Sequence, residues 1–283
     1  MTAASPSTPH ALPFLKWAGG KQRLLSQYQP FLPARTAIGR YFEPFIGSAA
    51  VFFYWQPQQA ILSDRNEKLI ELYRLVRDDV AGVIKALQGH RNEVDYYYDV
   101  RAHEPAQPAA RAARLIYLNK TCYNGLYREN SKGEFNVPFG RYKNPTICDE
   151  DRLRAASQAL QSVELVAADF EVVAQRAKAG DFIYFDPPYA PLNATSSFTN
   201  YNKHGFTADD QKRLAATIKQ LDARGCHIML SNSSAPLVYE LYADNGYHIQ
   251  PIQARRNINS KANQRGPIKE LLITNYPPSG KNE

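Results

Sequence analysis

The sequence predicts an α/β fold: a mostly parallel sheet with helices between its strands, interrupted by an inserted, mainly helical segment that carries a β-hairpin. Three observations predict it. Short apolar strands alternate with helical patterns at both ends of the chain. A middle region of different texture separates those ends, and several strands run directly into a carboxylate or a proline turn. Strand-helix-strand-helix at this spacing argues for parallel pairing.

YFEPF (41–45) is apolar and aromatic, IGSAA breaks it, and VFFYW starts a helix. AILSD (60–64) is a second strand, followed by a helical pattern from Asn66 to about Asp78. VDYYYDVRAHEPAQPAARAARLIYL holds proline breaks and then a helical run, and YNGLYRENSKGEFNVPFGRY reads as hairpin and loop. The α/β pattern resumes with VELVAAD (163–169) and DFIYF (181–185). FTADDQKRLAATIKQLDARG is a helix, with Thr207 and Asp210 at capping-box spacing and Leu214, Ile218 and Leu221 on one face. HIMLSN, YHIQPI and KELLITNY are later strands, the last two an antiparallel edge pair. These elements divide the chain at 1–72, 73–165 and 166–283, the middle part being the insertion.

The 283 residues, 44% hydrophobic and 12% aromatic, support a sizeable core. Lys and Arg outnumber Asp and Glu, 34 against 27. That excess fits an anionic partner, nucleic acid before membrane, and fits a merely basic enzyme equally well. Cys122, Cys148 and Cys226 form no C-x-x-C pair and the histidines are scattered, so thiols in a reducing compartment are expected, with no metal. MTAASPSTPHALP reads as a disordered lead-in, neither signal peptide nor anchor, and no run of 18 apolar residues exists.

WAGGK (17–21) lacks P-loop spacing, because Gln22 follows Lys21. It is either a glycine turn that starts a helix at Lys21, or a segment whose backbone and Lys21 line a ligand cleft. EPFIGS is more informative. A strand ending at Glu43 to Phe45 and turning through Gly47 into a helix can receive a nucleotide-like ligand, and Asp64 lies 21 residues after Glu43, where ribose hydroxyls are accepted. One glycine and a leading acid argue against pyrophosphate. The loop suits an adenosine compound that carries positive charge, which is S-adenosylmethionine.

DFIYFDPPYA ends a core strand with Asp186, Pro187, Pro188 and Tyr189. The prolines have no N–H and fix φ, so carbonyls near them are held rigidly without local partners. The Asp186 carboxylate and an adjacent carbonyl then form two acceptors for the two N–H groups of an exocyclic amine, and Tyr189 offers a face on which its ring stacks. An isolated D-P-P would more often be a solvated turn.

FLKWAGGK, YFEPFIGSAAVFF, SDRNEKLIELY, YNGLYRENSKGEFNVPFGRY, DFIYFDPPYAPL and KELLITNY, in that order, resemble the Dam-type DNA adenine methyltransferases, from about Phe14 to Tyr276. The resemblance implies a Rossmann-like catalytic domain with an inserted target-recognition domain, S-adenosylmethionine as donor, and the 6-amino group of adenine in double-stranded DNA as acceptor. By block matching it puts Trp17, Ala18, Gly19, Lys21, Glu43, Phe45 and Gly47 on the cofactor. Asp64 would hold the ribose, Asp169 and Phe170 would meet the cofactor adenine, and Asp186 would border both cofactor and base. Asp186, Pro187, Pro188 and Tyr189 would hold a flipped adenine. The family usually has a second glycine where Ala49 stands, which would alter the closest backbone approach to the cofactor.

The middle block gives a hairpin on which Arg128 could fork onto guanine, Leu126 meet a thymine methyl and an aromatic side chain act as a wedge. In the family these positions read GATC. Tyr123 and Asn124 would fill the space left by the flipped base, Pro138 and Tyr142 belong to the same surface, and Lys16 resembles a residue on the outer guanine. ARRNINSKANQR (254–265) is a basic loop whose Arg255, Arg256, Lys261 and Arg265 suit phosphate contact. The family implies a bacterial or phage cytoplasmic enzyme associated with the nucleoid, and a monomer is the default. A base methyltransferase for structured RNA and a catalytically silent DNA-binding module are the rival readings.

Overall fold

The computed structural model describes residues 11–192, 205–255 and 267–278. A seven-stranded mixed sheet forms its centre: β1 (Tyr41–Glu43), β2 (Ala60–Asp64), β3 (Val163–Ala167), β4 (Phe182–Phe185), β5 (His227–Ser233), β6 (His248–Arg255) and β7 (Pro267–Thr274), in the spatial order β3-β2-β1-β4-β5-β7-β6. The first five are parallel, while β7 runs antiparallel to β5 and β6 antiparallel to β7. The last two strands pair as the sequence predicts. Chain order reverses between β1 and β4, and the crevice outside the carboxyl ends at such a reversal is where open α/β sheets bind ligands.

Prolines end the two central strands. Pro44 follows Glu43 and Pro187 follows Asp186, and neither has an amide to continue a ladder. The reversal therefore opens directly beyond Glu43 and Phe185.

The helices are α1 (Leu25–Tyr28), α2 (Ala50–Trp55), α3 (Glu67–Asp78), α4 (Val80–Gln88), α5 (Val94–Ala102), α6 (Pro108–Thr121), α7 (Glu150–Leu160), α8 (Val172–Arg176), α9 (Ala208–Ala223) and α10 (Pro236–Tyr242). The Asn66 side chain caps α3 by accepting from the Leu69 N–H at 3.1 Å, and Leu69, Ile70, Leu72, Tyr73 and Val76 form its buried stripe. Thr207 and Asp210 form the predicted capping box of α9, which buries Leu214, Ile218 and Leu221.

Alternation along the strands sends side chains to two cores. One face joins Tyr41, Leu62, Phe182 and Tyr184 to α2 to α7. The other joins Phe42, Ile61, Ile183 and Phe185 to α8 to α10. The expected boundaries at 72/73 and 165/166 fall within α3 and β3.

One of the two readings of WAGGK is excluded and one local expectation is corrected. No helix starts at Lys21: Trp17 to Gly20 is a turn closed by Gly20 N–H to Trp17 C=O at 3.0 Å, and α1 begins at Leu25. Lys21 instead turns its side chain inward, where it is buried. The 121–142 hairpin has no regular strands, only the bridges Cys122–Phe139 and Glu129–Phe135. Asn124, Arg141, Gly125 and Gly133 at positive φ, together with Pro138, break its ladder.

Among the described residues no helix is long and apolar enough to cross a membrane, and no group of three His, Cys, Asp or Glu side chains is placed to hold a metal ion. The three cysteines are free.

Candidate active site

Four neighbouring parallel strands deliver the acidic residues read from the sequence to one edge of the sheet. Asp169 follows β3, Asp64 ends β2, Glu43 ends β1 and Asp186 follows β4. Strand order alone thus turns residues more than 100 positions apart into neighbours.

Glu43 is buried, and its Oε2 accepts from the Tyr41 hydroxyl at 2.8 Å and from the Phe52 N–H at 3.2 Å. Burial pushes its carboxyl up to about 8, against the pull of those hydrogen bonds, with Asp186 adding to the rise. Asp64 accepts from the Asn66 N–H at 2.9 Å, and burial likewise lifts it to about 6. A buried Glu43 and a half-buried Asp64 at the carboxyl ends of neighbouring strands favour a ligand with cationic and hydroxyl groups.

Beside them Phe45 stacks on Phe170 with centroids 5.6 Å apart, and Phe206 closes edge-on to Phe45 at 5.7 Å. Phe206 was not read from the sequence. Asp169 holds Arg213 at 2.9 Å, and the Arg213 guanidinium lies 4.9 Å from the Phe170 ring centre. Gly47, at φ 44°, lets Trp17 approach so closely that a Cβ there would meet the indole at 2.7 Å. Ala18 and Gly19 are exposed at the tip of the Trp17 turn.

The Asp186 turn lies across the chain reversal. Its Oδ1 pairs with the Lys21 ammonium at 2.8 Å. Burial nonetheless lifts the carboxyl to about 6, with Lys21 opposing the rise. Lys21 Nζ also sits 4.9 Å from the Tyr189 ring centre. The Tyr189 hydroxyl donates to Glu270 on β7 at 2.7 Å. Gln211 donates to the Pro188 carbonyl at 3.0 Å, and Asn232 accepts from the Ala190 N–H at 3.1 Å. Glu270, Gln211 and Asn232 were also missed in the sequence.

The hairpin approaches the same loop from the other side. Asn119, buried on α6, accepts from the Lys16 N–H at 2.8 Å and donates to the carbonyls of Lys16 at 2.7 Å and Gly125 at 3.2 Å. Lys16 Nζ stands 4.2 Å from the Tyr142 ring centre, and Trp17 stacks on Tyr127 with centroids 5.5 Å apart. Tyr123 is 52% exposed, a large value for an aromatic side chain on an ordered turn, and Asn124 beside it is exposed at φ 55°. The Pro138 carbonyl accepts from the Tyr123 N–H at 2.8 Å. Leu126 is half-buried, and Arg128 bonds across the hairpin to the Asn136 Oδ1 at 2.6 Å. Contacts thus link Lys16 to Tyr142 and Tyr123 to Pro138, while Leu126 and Arg128 lie further along the same hairpin. Arg255 ends β6, whereas Arg256, Lys261 and Arg265 lie outside the described residues.

The model of the D12 class of N6 adenine-specific DNA methyltransferases matches residues 17–258. The chain is 44% identical to the type II methyltransferase M1.LlaDCHI of Lactococcus lactis subsp. cremoris, over 93% of this chain and 95% of that one. It is 46% identical to the type II methyltransferase M.MjaIII of Methanocaldococcus jannaschii, covering 93% and 99%. It is also 36% identical to the DNA adenine methylase of Escherichia coli K12, covering 93% and 95%. The matched span takes in the Trp17 turn, the acidic strand ends, the hairpin and the Asp186 turn, and the chain belongs to the D12 class of N6 adenine-specific DNA methyltransferases.

Proposed function

We propose that this methyltransferase modifies adenine in duplex DNA within GATC and takes the target base out of the helix to do so. One observation carries the reading: the loop from Lys16 to Lys21 touches the hairpin surface at one end and the Asp186 carboxylate at the other. A base leaving a duplex held on Tyr123 and Asn124 would have a short path to Asp186. Extrusion of a stacked base costs about a few kcal/mol, and an aromatic side chain filling the gap offsets part of that. Residues 73–165 serve as the target-recognition part and 1–72 with 166–283 as the catalytic part.

The residues present suit S-adenosylmethionine. Glu43 offers a carboxylate to an ammonium, Asp64 to ribose hydroxyls, and the slot of Phe45, Phe170 and Phe206 to a purine ring. When bound, S-adenosylmethionine supplies a methyl group on positively charged sulfur, electrophilic without further activation.

The chain's own work is positioning. Lys21 occupies Oδ1 of Asp186, which leaves Oδ2 to accept one N–H of the adenine amine. The Pro187 carbonyl accepts the other. Two acceptors on one nitrogen turn its lone pair out of conjugation with the ring, and Tyr189 stacks on the base. Fixed orientation of this kind supplies several kcal/mol of barrier lowering. As the N–C bond forms and the methyl's bond to sulfur breaks, leaving a neutral thioether, the nitrogen sheds its surplus proton to Asp186 or to water.

Transfer of tritiated methyl groups from S-adenosylmethionine to a GATC duplex, a scrambled duplex and a structured RNA tests this reading. Labelling of the GATC duplex alone is expected. Equal labelling of the scrambled duplex removes the sequence assignment, and labelling of RNA alone removes the substrate. The chain acts as a monomer, in the cytoplasm of a bacterial or phage-infected cell.

A further inference from the structure

We propose that Gln211 and Asn232 are positioning residues that select the Pro187 carbonyl, and not that of Pro188, as the acceptor for the substrate amine. The proposal rests on the reading of the Asp186 turn as an amine site.

Two consecutive prolines give this turn rigid φ angles and remove two of its N–H donors, so little bracing comes from its own backbone bonds. Bracing comes from behind. Ala190 donates its N–H to Asn232 Oδ1 at 3.1 Å, and the Ser233 N–H donates to the same oxygen at 2.8 Å. These two backbone donors fix the sense of the Asn232 amide, since its oxygen must face both. Its Nδ2 therefore faces Gln211 and donates to Oε1 at 3.0 Å. That bond in turn leaves Gln211 only one orientation, with Nε2 donating to the Pro188 carbonyl at 3.0 Å. Ser233 Oγ donates to the Ala190 carbonyl at 2.6 Å.

The result is a directed chain of donors, Ala190 to Asn232 to Gln211 to Pro188, in which each step fixes the next. Gln211 is 1% exposed and Asn232 0%, so water does not substitute for a missing partner. The chain and Ser233 Oγ together consume the Pro188 carbonyl and both polar backbone groups of Ala190. The Pro187 carbonyl has no partner among the described residues. Of the two proline carbonyls, only that one is ready to accept a substrate N–H.

Both side chains owe their place to the fold. The Thr207–Asp210 capping box fixes where α9 starts, and Gln211 follows on the helix's buried face. Asn232 lies on β5, which runs beside β4 and so passes under the turn that follows it. Neither residue lies among the hairpin side chains or among the acids and rings that suit the cofactor.

The test compares the wild-type chain with Gln211→Met, Asn232→Asp and the double variant. Single-turnover methyl transfer to the GATC duplex is measured together with Kd for that duplex and for S-adenosylmethionine. Asp at 232 keeps the acceptor for the two backbone amides but removes the donor to Gln211, so it breaks the chain without changing its size. Transfer at least tenfold slower in each single variant is expected, with both Kd values within about threefold of wild type. The double variant should be no slower than the slower single, because both changes break one chain. Folded variants that transfer at the wild-type rate overturn the proposal, and so does a multiplicative loss in the double variant. If none of the variants folds, the chain is a folding requirement and the proposal is wrong. A wild type that methylates no DNA adenine instead overturns the reading of the function.

Discussion

The ammonium of Lys21 lies 2.8 Å from Oδ1 of Asp186, and both belong to loops flanking the reversal of strand order. Burial holds the Asp186 carboxyl near 6 although Lys21 lowers it, so removing the ammonium must raise it further. Ionised Asp186 is the form that accepts an N–H. Lys21→Met should therefore move the acid limb of the rate profile upward by about one pH unit or more. Single-turnover rates between pH 5 and 9 measure this, and an unmoved limb would mean that another group sets it.

The buried acids make the free protein sensitive to alkali. Glu43 is raised to about 8, and Asp64 and Asp186 to about 6, so the folded state holds protons that the unfolded chain releases. Their stabilisation is complete below about pH 4 and is lost progressively as pH rises to about 8. Glu43 alone accounts for a loss on the order of a few kcal/mol. Thermal unfolding of the ligand-free chain should show Tm falling between pH 5 and 8, with a clearly shallower fall in Glu43→Gln. Equal slopes in the two proteins would remove Glu43 from the explanation.

Ala49 occupies a left-handed conformation, φ 53°, at the start of α2, and its methyl group is fully buried. Ala49→Gly relieves about 1–2 kcal/mol of backbone strain. It also loses about 0.8 kcal/mol of methyl burial and about 0.5–1 kcal/mol to the greater freedom of the unfolded chain. The effects nearly cancel, so Ala49→Gly should change stability by less than about 1 kcal/mol. Ala49→Val, β-branched in the same conformation, should cost about 2 kcal/mol or more. Denaturant titration of both variants checks the pair, and a well-tolerated valine would contradict the strain argument.

Asn119 is the joint between the Trp17 loop and the hairpin, with three hydrogen bonds from one side-chain amide. Asn119→Ala leaves their partners unsatisfied and should cost about 2–3 kcal/mol in urea unfolding. The Km for DNA should rise more than that for cofactor, because the freed carbonyl of Gly125 belongs to the hairpin. A variant of wild-type stability would show that water takes over these bonds.

Arg128 reaches across the hairpin to Asn136, which sets the direction of its guanidinium. Arg128→Ala should relax the choice of one base pair by about 1–3 kcal/mol and leave the other positions unchanged. Methylation rates on every single-substituted GATC duplex provide the readout. A uniform loss across them would make Arg128 a phosphate contact.

The first four strands were legible because each is a short, mostly apolar run closed by a carboxylate or a proline at its end or within two residues of it. The acids at their tips were legible for the same reason, since a carboxylate closing a buried strand has few structural uses. WAGGK was ambiguous, because a lysine after two glycines has the form of a helix start as well as of a cleft-lining turn, and only the packed molecule pairs Lys21 with Asp186. Glu270, Asn119 and Asn232 stand among other polar residues in their elements, with no motif to mark them. Their roles depend on partners that the fold brings from 42, 81 and 103 residues away. Gln211 left a faint signal, standing in line with Leu214, Ile218 and Leu221 on the buried stripe of α9, where a fourth apolar residue would be expected.

The indole of Trp17 lies between two parts of the molecule, against Gly47 of the loop after β1 on one side and Tyr127 of the hairpin on the other. The chain has two tryptophans, and the second, Trp55, is buried in α2 away from the hairpin. The protein therefore carries its own optical reporter. Emission from Trp17 will respond to events on either side of it, and a Trp55→Phe background isolates that signal without an added dye.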